Sequence, residues 1–360
     1  MKTWNHMRTN VYNIIWADDE IDDILSEERE ARLQTNGITI IGKAHDGQEL
    51  EELLDANAGM VDAVIVDANF NESSIEIMNE RDTSGLDYAR SLYIHKVDRK
   101  IPFFLFTNRS DELLKEIYQS NPKFLEDFPR HKRWFSKSGQ DEYKEMLQSI
   151  KDTVDAQDSP EFRVRNKYQY ELNAAVLLDG AYDYFFEVML RNELGTLAEM
   201  REPFISVRRI VEKGFDFARA LALIPPITDD TNGTAAYLFH DCYKKDGAVL
   251  YKKDDRDIIP KPVAASLRYI VNITQDSAHS RDDLKLKVDE YFAQTKDCLL
   301  LMSVVYAAME FVKWLAMTAM SHKDPEANQY MLWSEVSHEE KETVVTPEVE
   351  PVQTQTQNEG

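Results

Sequence analysis

From Val11 to Val154 the apolar residues fall in short, dense runs separated by amphipathic stretches. Val11–Ala17, Ile38–Gly42, Val61–Val66, Ile101–Thr107 and Arg133–Lys137 carry the β-branched and aromatic content of buried strands. Helical periodicity fills the intervals: Ile21–Leu33, closed by the stop signal Asn36-Gly37, then Gly47–Leu54, a segment around Gly85–Ala89, Asp111–Tyr118 and Tyr143–Val154. This alternation predicts an α/β doubly wound, five-stranded parallel sheet over residues 11–154, covered by helices on both faces. Right-handed crossovers then bring all five strand C-termini to one edge.

Beyond Glu161 the strand patterns nearly vanish. Ala156-Gln157-Asp158-Ser159-Pro160 breaks the periodicity, and residues 155–160 read as a linker. Helices are expected over Val164–Leu178, Tyr182–Leu194, Ile205–Leu223, Thr234–Tyr243, Val263–Ser277 and Leu284–Thr318, the last being one long apolar helix or a kinked pair. Gly195 suits the end of the second, and Ile224-Pro225-Pro226 stops the third. Asp246-Gly247, between Lys244-Lys245 and Val249–Lys253, suits a small hairpin turn. Residues 161–334 are therefore expected to form an all-α domain around one buried helix. From 335 to 360 the chain turns to Glu, Thr, Val, Pro and Gln without apolar periodicity, the pattern of a disordered acidic tail.

Composition narrows the function classes. Over 360 residues, 43% hydrophobic content is enough for two real cores. A formal net charge of −23 argues against DNA as the partner, because a DNA-binding face must displace counterions with basic residues. The basic cluster Lys244-Lys245 and Lys252-Lys253 is offset by Asp246, Asp254, Asp255 and Asp257. Cys242 and Cys298, the only cysteines, lie in no metal-binding spacing and read as reduced thiols. Met1–Asn10 lacks the apolar core of a signal peptide, and the apolar run Cys298–Met309 is shorter than a bilayer span. These features predict a soluble cytoplasmic protein without a membrane partner.

The chemistry concentrates at the strand ends. Asp18-Asp19 follow the first strand, Asp67 the third, Thr107 the fourth and Lys137 the fifth. Clustered carboxylates repel one another and favour a divalent cation, and Asp18, Asp19 and Asp67 offer the hard oxygen ligands that Mg²⁺ takes. A carboxylate can attack a phosphoryl group. The charge spread over the transferring oxygens then calls for a cation and a donor, which Lys137 and Thr107 supply.

Residues 11–154 resemble the receiver domains of two-component response regulators. Ile14-Ile15-Trp16-Ala17-Asp18-Asp19-Glu20 is similar to the acidic-pair strand of that family, and Val64-Ile65-Val66-Asp67 to its phosphoacceptor strand. Thr107 matches the switch hydroxyl, Lys137 the family's lysine, and Trp134 the switch aromatic; Asn69 falls where a backbone carbonyl binds the metal. The resemblance implies a flavodoxin-like fold and phosphorylation of Asp67 by a histidine kinase or phosphotransfer protein. It further implies Mg²⁺ on Asp18, Asp19, Asp67 and Asn69, with Thr107 and Lys137 moving onto the new phosphoryl oxygens. Two features depart from the family. Ser138 follows Lys137 where proline is usual, and the Phe70–Ser84 connection before Gly85 is long.

The second half carries no Walker lysine, HExxH, GGDEF or helix-turn-helix pattern, and His240-Asp241 stands without further metal ligands. Arg208–Glu212, Leu267–Asn272 and Ala278-His279 are faintly similar to helical HEPN-type domains, which include RNases built on an Arg and a His. The position expected to hold that arginine before His279 does not, and Asn272 is the nearest polar residue. Arg208, Arg209, Asn272 and His279 form the candidate output site on this resemblance. The leading expectation is a phosphorelay response regulator that signals through a protein-binding helical domain, with no enzymatic activity beyond its own phosphorylation and dephosphorylation. The alternatives are a phosphorylation-controlled HEPN-like RNase and a phosphorylation-dependent homodimer.

Overall fold

Strand β1 (Tyr12–Ala17) sits near the middle of the first unit because its side chains are apolar on both faces. A computed structural model describes residues 10–57, 59–67, 101–108, 133–224, 231–239, 242–245, 248–253, 259–278, 288–295 and 298–335. The chain divides into two compact units, Met1–Lys167 and Tyr168–Gly360.

In the first unit β1, β2 (Ile38–Ala44), β3 (Ala63–Val66), β4 (Phe103–Thr107) and β5 (Trp134–Ser136) form one all-parallel sheet in the order β2-β1-β3-β4-β5. Successive residues point to opposite faces, so the sheet has an apolar layer on each side. One layer holds Ile15, Ala17, Val64, Val66, Phe103, Leu105 and Trp134 against Leu50 and Leu54 of α3 (Gly47–Ala56). The other holds Ile14, Trp16, Ile65, Phe104, Phe106 and Phe135 against Met146, Ile150 and Val154 of α4 (Gln140–Gln157). The expected parallel sheet between helices is thus present. The predicted helices near Gly85 and over Asp111–Tyr118 lie outside the described residues.

The first predicted helix is two: α1 (Ile21–Ile24) and α2 (Glu27–Thr35). Ser26 divides them. Its extended backbone and its hydroxyl, which accepts from Arg29 N, start a new helix. Gly37, at φ +78°, supplies the left-handed stop that the sequence signals.

The linker assignment at 155–160 is corrected. α4 runs to Gln157, Asp158 turns the chain at φ 44°, and Pro160 occupies the first position of α5 (Pro160–Lys167), where a missing N–H costs nothing. α5 belongs to the first unit. Phe162 lies 5.4 Å from the Tyr12 ring, Val11 N donates to Asn166 Oδ1 at 2.7 Å, and buried Arg165 donates to Asp62 and to the Met60 carbonyl. Asp62 in turn accepts from Asn13 N at 2.8 Å. The boundary therefore lies at Lys167, not at Val154.

In the second unit Tyr168 interrupts the predicted 164–178 helix, and α6 (Gln169–Ala175) begins after it. α7 (Ala181–Leu194) and α8 (Pro203–Ala220) follow the expected pattern, whereas the helix expected over 234–243 is α9 (Thr231–Phe239), with Cys242 and Tyr243 in a strand instead. α10 (Lys261–Ala278) again follows the expected pattern. The 284–318 stretch is a pair, α11 (Val288–Thr295) and α12 (Cys298–Ser321), and α13 (Pro325–Leu332) comes after it. α12 is the core. It packs against α6, α8, α10 and α11, with Leu301, Val304, Val305, Ala308, Phe311, Val312 and Leu315 buried. Gly214 lets α8 approach closely, since a Cβ there would stand 2.6 Å from Phe311 Cε1.

Two further expectations are corrected. The unit is not all-α: β6 (Cys242–Lys245) and β7 (Ala248–Lys253) form the antiparallel hairpin signalled by Asp246-Gly247, and β8 (Trp333–Glu335) adds a third strand. Glu335, assigned to the tail, is part of that strand because it pairs with Tyr251. By length and composition α12 could cross a membrane, unlike the shorter apolar run read from the sequence, but 56% of its most apolar window is buried inside the fold.

Candidate functional site

Register brings the site together. Ala17 pairs with Val66, so the next residue on each strand, Asp18 and Asp67, emerges at the same sheet edge. Asp67 N donates to Ala17 O at 2.9 Å, and Asp18 N donates to Ala44 O at 2.9 Å, which fixes both backbones. Thr107 ends β4 opposite Ser136, and its carbonyl accepts from Lys137 N at 2.9 Å. Each group is thus carried by a strand whose preceding side chains are locked in the two apolar layers.

Lys137 Nζ lies 2.7 Å from Asp18 Oδ2 and 3.0 Å from Asp67 Oδ2. The site is largely closed to solvent, with the side chains of Asp18, Asp67 and Lys137 exposed by 0, 5 and 10%. Thr107 is fully buried. Asp18 Oδ1 accepts from Glu20 N at 3.1 Å. Burial raises the Asp18 carboxyl above its ordinary range, and the Asp67 charge adds to that; Lys137 and the Glu20 amide pull the other way without cancelling it. Burial works against the Lys137 ammonium as well, yet Asp67 and Asp18 outweigh it and hold the lysine above its usual value.

One ammonium between two buried carboxylates leaves the site net negative. Exposed Asp19 adds a third carboxylate, with a ligand oxygen of each of the three acids within 4.8 Å of the others. Asp67 Oδ1 is buried without a hydrogen-bond partner, which is costly unless something else satisfies it. These donors fit a divalent cation that prefers oxygen, with Asp18, Asp19 and Asp67 as its holders.

Trp134, the expected switch aromatic, is 3% exposed and packs inward in the layer containing Val66 and Leu105. Asn69 and the Phe70–Ser84 connection lie outside the described residues. Around Ser138, side chains brace the turn after Lys137. Ser136 N donates to Glu142 Oε2 at 2.5 Å, and the Ser136 and Ser138 hydroxyls are 2.7 Å apart. Sequence reasoning missed this bracket; its signal was the pair of serines flanking Lys137 just before an acidic first helical turn. It also missed His45, at the end of β2, whose ring nitrogens face Glu49 at 2.9 Å and Asp22 at 3.1 Å and which those acids hold above its usual pKa.

Of the candidate output residues, Arg208, Arg209 and Asn272 are described. Arg208 is turned into the helical core, where Nε donates to Glu212 at 2.7 Å and Nη1 is buried without an acceptor. Arg209 and Asn272 face solvent, and His279 and His240-Asp241 lie outside the described residues. No protein-family model matches the chain, and none of the characterised proteins compared with it is similar in sequence. The functional reading therefore rests on the geometry of the sheet edge.

Proposed function

We propose that the first unit is a receiver-type phosphorylation switch, with Asp67 as the phosphoacceptor and the helical unit as its output to a protein partner. The supporting observation is the buried arrangement in which Lys137 bridges Asp18 and Asp67 through one oxygen of each, while the other oxygen of Asp67 is left without a partner. That unpartnered Oδ1 is the natural nucleophile. It attacks phosphorus, the bond from phosphorus to the donor's nitrogen or oxygen breaks, and the electron pair leaves with the donor. A divalent ion, Mg²⁺ by oxygen chemistry and size, would offset negative charge on the transferring oxygens when bound by Asp18, Asp19 and Asp67, with the Asn69 carbonyl joining by resemblance.

Lys137 places a positive charge where the transferred group develops negative charge, and Thr107, at the neighbouring strand end, offers a hydroxyl to the same region. In the switch reading, those two groups and Trp134 rearrange once the acyl phosphate forms. A histidine kinase or phosphotransfer protein is the donor class this reading implies, and a cytoplasmic location follows from it. A HEPN-like RNase finds no support in the described residues, since Arg208 is buried and paired with Glu212.

The test is labelling of the full chain by a small phosphodonor with Mg²⁺. Wild type should take up one phosphoryl group per chain and Asp67→Asn none; equal labelling of the two would remove Asp67 from its role.

A further inference from the structure

Helix α12 has a buried face and an exposed face, and the exposed one is ordered. Leu299, Ser303, Tyr306, Glu310, Met317 and Met320 all face solvent, with Lys313 half-buried beside them. The spacing alternates four and three residues from Leu299 to Met320, which is the heptad spacing of a helix seam. Four large apolar side chains lie on it: Leu299, Tyr306, Met317 and Met320 are 77, 42, 63 and 75% exposed. The two charges, Glu310 and Lys313, fall together near its middle and pair with each other.

We propose that this face is the seam of an antiparallel homodimer, in which α12 of one copy crosses α12 of a second across a two-fold axis between Glu310 and Lys313. The occupant follows from self-complementarity. A two-fold interface sets the same patch against itself in reverse. Reversed about the point midway between Glu310 and Lys313, each Glu310 meets the partner copy's Lys313 and each Lys313 its Glu310. The same operation sets Tyr306 against Met317, two large apolar side chains, and Ser303 against Met320, while Leu299 comes opposite position 324, past the end of α12. No other register along the seam puts both charges against opposite charges.

The flanks support a contact of sufficient size. The Tyr306 hydroxyl lies 2.9 Å from that of Tyr168, just before α6, and the Tyr269 hydroxyl of α10 lies 2.9 Å from Ser303 Oγ, so two further tyrosines adjoin the seam. Lys313 also reaches Glu171 of α6 at 3.3 Å, which holds its ammonium on this face. At 1.5 Å rise per residue the 24-residue helix is roughly 36 Å long. Three helices packed 8–10 Å apart span roughly 25 Å. Because α6 and α10 have only 7 and 18 residues, the footprint is on the order of 650 Å² per copy, toward the lower end of the roughly 600–1,000 Å² that a stable interface buries on each side.

The experiment is sedimentation of the full chain in a concentration series, with charge-swapped variants. Wild type should move to twice the chain mass, and Glu310→Lys and Lys313→Glu should each remain at single-chain mass. Mixed in equal amounts, those two variants should recover the double mass as a one-to-one complex, because one copy then brings two positive charges to the centre of the seam and the other two negative ones. Misfolding of a single variant cannot produce that recovery. Met320→Glu, at a site exposed to water, should also halve the mass. Single-chain mass for wild type throughout, a double mass insensitive to all three variants, or failure of the mixed pair to associate would each overturn the proposal. So would single-chain mass together with binding to phosphatidylcholine–phosphatidylserine vesicles that Met320→Glu abolishes, since the face would then serve a lipid surface.

Discussion

Replacing Arg165 with methionine tests whether α5 is part of the sheet unit or merely follows it. The guanidinium donates to Asp62, whose side chain has no exposure, and to the Met60 carbonyl, while Asn13 N holds the other Asp62 oxygen. The substitution keeps most of the packing volume and removes the counter-charge of a buried carboxylate. Breaking a buried pair by removing one partner costs about 3–5 kcal/mol. The buried Nε of Arg165 already lacks an acceptor, which places the expected loss toward the low end of that range, about 3 kcal/mol. The exposed pair Arg163–Asp158 provides the comparison; its removal should cost less than about 1 kcal/mol. Removing both charges, Arg165→Met with Asp62→Asn, should recover more than half of the loss. Native-state hydrogen exchange of the full chain isolates the effect, since amides of β1 and β3 report the opening free energy of the first unit alone. A loss below about 0.5 kcal/mol for Arg165→Met would show that α5 does not stabilise the sheet, because surface changes fall in that range.

Three other outcomes follow from the same structure. Lys137→Met leaves Asp18 and Asp67 facing each other in a closed site, so it should lower the melting temperature in chelator, and millimolar Mg²⁺ should restore more in the variant than in wild type; equal responses to Mg²⁺ would count against cation binding there. Gly214→Ala should destabilise the helical unit by about 1–3 kcal/mol, because the clash with Phe311 outweighs the roughly 1 kcal/mol that alanine gains in a helix, as read from a urea melt. The Tyr12 phenol, buried and bonded to Asp155, is pushed up to about 12 from 10.0, so its contribution is full below pH 10 and is lost as pH rises toward 12. Tyr12→Phe should therefore be less stable than wild type at pH 9, and the two should converge above pH 12 in paired unfolding curves.

The sheet was legible in the sequence because its inner strands β1, β3 and β4 are buried on both faces, which forces an unbroken apolar run such as Val64-Ile65-Val66. Site residues could be found for the same reason: Asp18, Asp67 and Lys137 interrupt those runs at their ends, where side chains leave the two layers. What stayed hidden depended on long-range partners. Ser159-Pro160 reads locally as a break, and only the meeting of Arg165 with Asp62 reveals that the next helix folds back on the sheet. The three residues of β8 carry no periodicity of their own and are a strand only because β7 offers them an edge. The splits at Ser26 and Tyr168 fall inside stretches whose apolar spacing continues smoothly across them.

The position of α12 along the chain sets the order in which the protein can acquire its structure during synthesis. The sheet unit has all of its partners, including Arg165, once Lys167 has left the ribosome, so the acidic site can form while the rest is still being made. The helical unit has no such independence. The apolar faces of α6, α8 and α10 all close on α12, and its residues 298–321 emerge after every one of them. The face of α6 must remain uncovered for more than a hundred residues of elongation, from its end at Ala175 to the start of α12 at Cys298, and those of α8 and α10 for shorter intervals, from Ala220 and Ala278. Proteolysis of chains stalled just before Cys298 should find the sheet resistant and the helices cut. Chaperone demand on this protein thus falls on its second half, and a truncation that removes α12 should yield a folded sheet unit attached to an aggregating remainder.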